Sequence, residues 1–178
     1  MGQRDAAYLL SGIVEFDDSY FEGPGKGGKR GRGTTKSKVL IAMDTSNYGR
    51  PKYLKMQVAP NLKGKTIGDF AKSAILSGST IISDAFHSYR KPLEKKFLHL
   101  YKVYDPDSGE LRWLHTMIGN AKAFVQGTYH GLGKKHLQCY LDEFCYRFNR
   151  RNFPGEAFAR LLAAVMAANP LSLAELKG

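Results

Sequence analysis

The chain has 178 residues, 43% hydrophobic and 12% aromatic, which suffices for one packed core and is too apolar for a disordered tail. Its 27 Lys and Arg against 16 Asp and Glu give a formal charge of +11, so a polyanionic partner is expected, nucleic acid ahead of a membrane surface. No run approaches the roughly 18 apolar residues of a membrane span, MGQRDAAYLLSG lacks a signal-peptide pattern, and Cys139 and Cys145 are spaced for neither a CxxC ligand pair nor an unstrained helical disulfide. The expectation is a soluble, cytoplasmic domain in a reducing setting.

The first periodic stretch, Ile13–Phe21, is rich in β-branched and aromatic residues and predicts a strand. Residues 24–38, PGKGGKRGRGTTKSK, hold five glycines, six Lys or Arg and no acid, the composition of a cationic loop rather than a helix or core strand. Residues 39–44 predict a buried strand, and 53–58 alternate as a third, so that the three form an antiparallel meander. From 66 to 76 the apolar positions Ile67, Phe70, Ala71, Ala74 and Ile75 recur at helical spacing, and Gly78 ends that helix. Residues 79–84 predict a short strand ending on an acid. Reached through a helical crossover, it is expected to run parallel to its neighbour. A further strand is expected over 98–104, and helices over 113–126, 135–151 and 154–168. The predicted order, β-β-β-α-β-α-β-α-α-α, is an α/β arrangement around a mixed sheet, a single domain spanning 1–178.

Two aspartates stand out by position. Asp17 is an acid among apolar strand residues, where it is costly unless it meets a cation or solvent. Asp84 ends a strand, and ligand sites in open α/β sheets gather at the carboxyl ends of strands. If the first and fourth strands are neighbours, the two carboxylates converge on a divalent cation, and hard oxygen ligands suit Mg²⁺ or Mn²⁺. Two such ions activate a water or a 3′-hydroxyl and stabilise the leaving oxygen of a phosphodiester. Asp18 is an alternative to Asp17, but strand alternation points it to the opposite face. A third ligand is expected on the helix near Trp113, where His115 and Lys122, seven apart, share one face. Asn120 competes for that place, about 140° away on a regular helix.

In YLDEFCYRFNRR, residues 140–151, the apolar Leu141, Phe144 and Phe148 join Leu137 and Tyr140 in a predicted core stripe. Arg147, Arg150 and Arg151 are candidate phosphate contacts, and Glu143 is one more possible metal ligand, though a solvent-facing acid suits it as well.

GIVEFDDSYFEG, SDAFHSYR and GTYHGLGKKHLQCYLDEFCYRFNRR together resemble the catalytic region of a family of bacterial insertion-sequence transposases of the DDE superfamily. The resemblance spans almost the whole chain, and its last stretch is the most specific. It implies a ribonuclease-H-like fold and a domain that cuts and joins double-stranded DNA with two divalent metal ions, commonly as a homo-oligomer. The family's first acid, in V-E-x-D-E/D-x-Y-F, falls on Asp17, and its second, in S/T-D-x-x-x-x-Y, on Asp84. The third is usually Glu with Lys seven residues on, a slot that falls on His115 and Lys122, although some relatives carry asparagine there and Asn120 stays a candidate. Relatives also carry an upstream zinc-ribbon or helix-turn-helix module, which is expected to be missing here. The implied DNA contacts are Lys26, Lys29, Arg30, Arg32 and Lys36 of the 26–38 loop, with Lys122, Arg147, Arg150 and Arg151, all neutralising phosphates without reading sequence. The rival reading is an inactive remnant that binds DNA through its basic surface but lacks competent metal ligands. A ribonuclease-H-like host nuclease fits the acids but not the YLDEFCYRFNRR helix.

Overall fold

The computed structural model describes residues 1–21, 36–47, 49–103, 105, 109–129, 135–170 and 172. Lys26, Lys29, Arg30 and Arg32 lie outside the described residues, as does Tyr104 at the expected end of the fifth strand. Five strands form one sheet: β1 (Ile13–Phe21), β2 (Ser37–Thr45), β3 (Pro51–Ala59), β4 (Thr80–Asp84) and β5 (Leu98–Lys102), in spatial order β3-β2-β1-β4-β5. The first three pair antiparallel, whereas β4 joins β1 and β5 joins β4 in parallel. Short helices α1 (Gly2–Asp5) and α3 (His87–Glu94) accompany α2 (Gly64–Ala74), α4 (Arg112–Tyr129), α5 (Leu137–Asn149) and α6 (Ala157–Met166).

Strand alternation divides the core in two. Val14, Phe16, Leu40, Ala42 and Ile81 face α2 and α3, meeting Ile67, Phe70, Ala71, Tyr89 and Leu93. Val39, Ile41, Met43, Leu54 and Met56 face the other way, onto Leu114, Met117, Ile118 and Ala121 of α4 and Leu137, Leu141 and Cys145 of α5. On β1 the same parity sends Glu15 and Asp17 to the α4 side and Asp18 to the α3 side. Tyr89 Oη donates to Asp18 Oδ1 at 2.5 Å, which places that carboxylate opposite Asp17 as strand alternation requires.

The first strand runs over the predicted residues. The others shift by one to three residues at their ends, and β5 stops at Lys102. Two expectations are corrected. The expected helix over 154–168 starts as a 3-10 turn, Pro154–Glu156, and continues as α6 to Met166; a proline at the first position suits such a start, and 3-10 turns are frequent at helix N-termini. The buried seam of α5 is Leu137, Leu141, Cys145, Tyr146 and Asn149, with Phe144 and Phe148 only partly covered.

The reason for that seam is the edge strand it covers. Asn149 Oδ1 accepts from Leu54 N–H at 2.8 Å while its Nδ2 donates to Leu54 C=O at 3.0 Å. Gln138 does the same further along, accepting from Val58 N–H at 2.7 Å and donating to Met56 C=O at 3.1 Å. Arg151 donates to the carbonyls of Pro51 and Lys52. Side chains of α5 and its C-terminal turn thus satisfy backbone groups that an unpaired edge leaves open to association.

Candidate active site

Parallel pairing of β1 with β4 runs from Ile13↔Thr80 to Phe16↔Ser83, so Asp17 and Asp84 are the next residues along neighbouring strands. Both are half-buried, and both belong to the parity that faces α4. Asp17 Oδ1 accepts from the Asp18 N–H at 2.7 Å, and Asp84 Oδ1 accepts from the Phe86 N–H at 3.1 Å. Each carboxylate is oriented by its own chain.

Helix α4 lies along β1. In its first turn Leu114 N–H donates to Glu15 Oε2 at 3.1 Å, supplying a carboxylate acceptor to a donor that has no partner within the helix. One residue later His115 Nε2 stands 3.1 Å from Asp17 Oδ2, with Asp17 16% and His115 33% exposed. An ionised carboxylate only accepts, so the proton of this bond sits on Nε2. Two turns on, Lys122 lies over the Phe21 ring at 5.8 Å, at the end of β1.

The carboxylates act on the titratable groups around them. The hydrogen bond to Asp17 raises the His115 pKa; burial opposes this, and the charges of Asp17, Glu15 and Asp84 add to the rise. Tyr89 is pushed well up by burial and then by Asp18, Asp17 and Asp84. Burial raises Glu15, against the Leu114 N–H and His115, which lower it. Lys122 keeps much of its side chain in water, yet desolvation of its ammonium lowers its pKa, as does Lys36, while Asp17 raises it.

Among the described residues, no group of three or more His, Cys, Asp or Glu closes around one point as a protein-only metal site would. The donor set fits a divalent cation in a different way. Mg²⁺-like ions take one or two carboxylates and complete their shell with water and substrate phosphate, and Asp17 with Asp84 offers two such carboxylates on adjacent strands.

The other sequence candidates fall elsewhere. Asn120 is exposed on a different face of α4 from His115. Glu143 pairs with Arg147 at 3.1 Å and accepts from Tyr129 Oη at 3.4 Å. Arg147 lies against the Phe124 ring. Arg150 and Arg151 sit where β3 begins, at the opposite end of the sheet from Asp17 and Asp84. Arg150 is 15% exposed, donates to Asp5 Oδ1 at 2.7 Å and stacks on Tyr146 at 3.6 Å, and so is a structural cation turned into the protein. Arg151 spends its donors on the start of β3 and on Phe148 C=O. Neither adjoins the carboxylates.

Glu15 and Tyr89 adjoin the site and are not among the candidate residues, although both stand in the quoted motifs, Glu15 in V-E-x-D-E/D-x-Y-F and Tyr89 in S/T-D-x-x-x-x-Y. Glu15 also shares the parity of Asp17 two residues on, whereas the contact of Tyr89 with Asp18, 71 residues away, is not legible along the chain.

Residues 9–149 match the ISXO2-like transposase domain. Among solved structures, the catalytic core domain of BIV integrase is similar, with a TM-score of 0.53 and 13% identity over 79% of this chain and 85% of that one. At that identity the likeness speaks for the fold, a ribonuclease-H-like mixed sheet of five strands flanked by helices. A comparison with curated proteins returns no match. Among the described residues no helix is long and apolar enough to cross a membrane.

Proposed function

Because the chain belongs to the family of ISXO2-like transposase domains, we propose that it cuts DNA at insertion-sequence ends and joins the freed ends to target DNA. The observation that carries this reading is the pair of carboxylates, Asp17 and Asp84, at next positions on adjacent parallel strands, with His115 of α4 held 3.1 Å from Asp17.

Asp17 and Asp84 would hold divalent cations, Mg²⁺ or Mn²⁺, and His115 stands at the third position. When bound, such ions supply the Lewis acidity that phosphodiester cleavage and transfer require. The protein's own groups do the positioning. Glu15 fixes the first turn of α4 through the Leu114 N–H, and so brings His115 to Asp17. His115, with its proton on Nε2, donates to Asp17 within the cluster. Lys122, two turns along the same face, is placed for a phosphate of the strand that passes Phe21, with Lys36 beside it. Tyr89 pins Asp18 on the far side of β1 and so holds the strand that carries Asp17.

A second reading is a DNA-binding domain without cutting activity. It is favoured by the imidazole in place of a third carboxylate and by its engagement with Asp17. Mn²⁺-dependent nicking and strand transfer on a labelled duplex separates the two. Activity lost in both Asp84→Asn and His115→Ala supports a cutting enzyme with His115 at work in it. An inert wild type whose DNA binding is intact and salt-sensitive supports the second reading.

A further inference from the structure

Asp84 is the last residue of β4, and a side chain takes up its carbonyl. Ser83 Oγ lies 2.8 Å from the Asp84 carbonyl oxygen and 2.8 Å from His99 Nε2. Ser83 is 3% exposed and shares the parity of Ile81, so it faces α3, on the opposite side of the sheet from the Asp84 carboxylate. His99 stands on the edge strand β5, opposite Ile81 in the register and diagonal to Ser83. Its ring lies 5.3 Å from that of Tyr101 on the same face of β5, and Arg90 of α3 covers Tyr101 at 4.5 Å. This stack seats the imidazole against Ser83.

A carbonyl only accepts, so the Ser83 hydroxyl donates to Asp84 and Ser83 Oγ in turn accepts from His99. The imidazole proton therefore sits on Nε2. Nδ1, buried with no partner among the described residues, is left as a bare lone pair. The other tautomer would bury an unpaired N–H, the rarer and more costly state. Burial lowers the His99 pKa, Glu94 raises it and Arg90 lowers it, and the net fall keeps the ring neutral near pH 7.

We propose that His99 is a positioning residue for Asp84. The relay from His99 Nε2–H to Ser83 Oγ, and from the Ser83 hydroxyl to the Asp84 carbonyl, fixes the peptide at the end of β4. The Phe86 N–H holds Asp84 Oδ1 at 3.1 Å, so main chain and side chain together set the direction in which the carboxylate meets a divalent cation. His99 and Ser83 lie on the far side of the sheet from that cation and from a DNA strand at the carboxylates, and they act only through Asp84. Groups that orient a metal ligand from behind commonly change metal affinity 10–100-fold. This rests on the reading of Asp17 and Asp84 as a cation centre and adds to it a support drawn from the edge strand.

Calorimetric titration with Mn²⁺ tests it, with Tm in EDTA measured beside it. Glutamine can bring an amide N–H to the place of Nε2, whereas asparagine reaches only that of Nδ1. His99→Asn is therefore expected to weaken Mn²⁺ binding about tenfold or more, while His99→Gln stays within about threefold of wild type. Ser83→Ala should match His99→Asn, and the double variant Ser83→Ala/His99→Asn should bind no more weakly than Ser83→Ala alone, because members of one relay are not additive. His99 is half-buried on an edge strand, and Ser83→Ala removes a single oxygen, so all four variants should melt in EDTA within a few degrees of wild type. Equal weakening by asparagine and glutamine, or additive losses in the double variant, would make ring packing the cause and overturn the inference. Unchanged Mn²⁺ binding in His99→Asn and Ser83→Ala, or a weakening that follows a fall in Tm, overturns it too. Each of these results leaves Asp17 and Asp84 standing as the cation centre. A wild type that binds no Mn²⁺ overturns that centre, and the role of His99 falls with it.

Discussion

The two ends of the sheet hold the same kinds of group in opposite states. Where β1 and β3 begin, Asp5 is 10% exposed and accepts from Arg150 at 2.7 Å, Asn149 at 3.1 Å and Tyr8 at 3.3 Å. One buried carboxylate there has a full cation and two neutral donors, and the cluster ties α1, β3 and α5 together. Toward the other end, Glu15, Asp17 and Asp84 come from neighbouring strands to the face where α4 brings His115 and Lys122, and the charges of Asp17 and Asp84 raise both His115 and the buried Tyr89. A saturated cluster holds a fold together and asks for nothing further. Partly buried carboxylates brought together on one face of a sheet offer a place for an external cation, which is the physical mark of a working site.

Substitutions at the two ends should therefore separate activity from stability. The largest effect is expected from Asp17→Asn, which should lower DNA nicking roughly a hundredfold or more, since even partners behind a metal ligand cost 10–100-fold. Its Tm in EDTA should change by no more than a few degrees, because loss of the His115 bond and relief of repulsion from Asp84 oppose each other; a large fall in Tm would break the comparison. At the opposite end, Arg150→Ala leaves Asp5 buried without its cation and should cost about 3 kcal/mol, roughly 6–12 °C in Tm, in thermal or urea melts. What nicking remains below the melt should match wild type.

Smaller effects sharpen the contrast. Lys122→Ala should weaken binding to every duplex and reduce the slope of log K against log salt by about one, whereas Arg151→Ala should leave that slope unchanged. Smallest is a pH effect in metal-free protein. Asp17 raises the His115 pKa above the ordinary 6.5, so the pair's stabilisation is complete below that value and fades as pH rises through the folded one. Melts from pH 5 to 9 should show this loss in wild type and not in His115→Gln.

Much of this was legible in the sequence, and the rest was hidden for identifiable reasons. Alternation in Ile13–Phe21 fixed which acids share a face, and the helix between the third and fourth strands implied the parallel β4 that brings Asp84 beside β1. What escaped was the task of α5. A pattern reading looks for apolar stripes, whereas the seam against β3 includes Asn149 and Gln138, amides whose partners are backbone groups 80 to 95 residues away. Arg150 counted among the candidate phosphate contacts for the same reason, since a charge count cannot tell a cation turned inward from one facing solvent. Glu15 was visible by parity, but its role needs the position of α4, which spacing along the chain does not give.

The central claim is that Asp17 and Asp84 form a cation-dependent centre. Thermal melts with and without Mn²⁺ test it most directly, on wild type, Asp84→Asn and Asp5→Asn. An ion at a hundredfold its dissociation constant stabilises the folded chain by about 2.7 kcal/mol, roughly 5–11 °C in Tm. The account expects that shift in wild type and in Asp5→Asn, which starts from a lower Tm, and its absence in Asp84→Asn. An equal Mn²⁺ shift in all three proteins, or none in wild type, would contradict it.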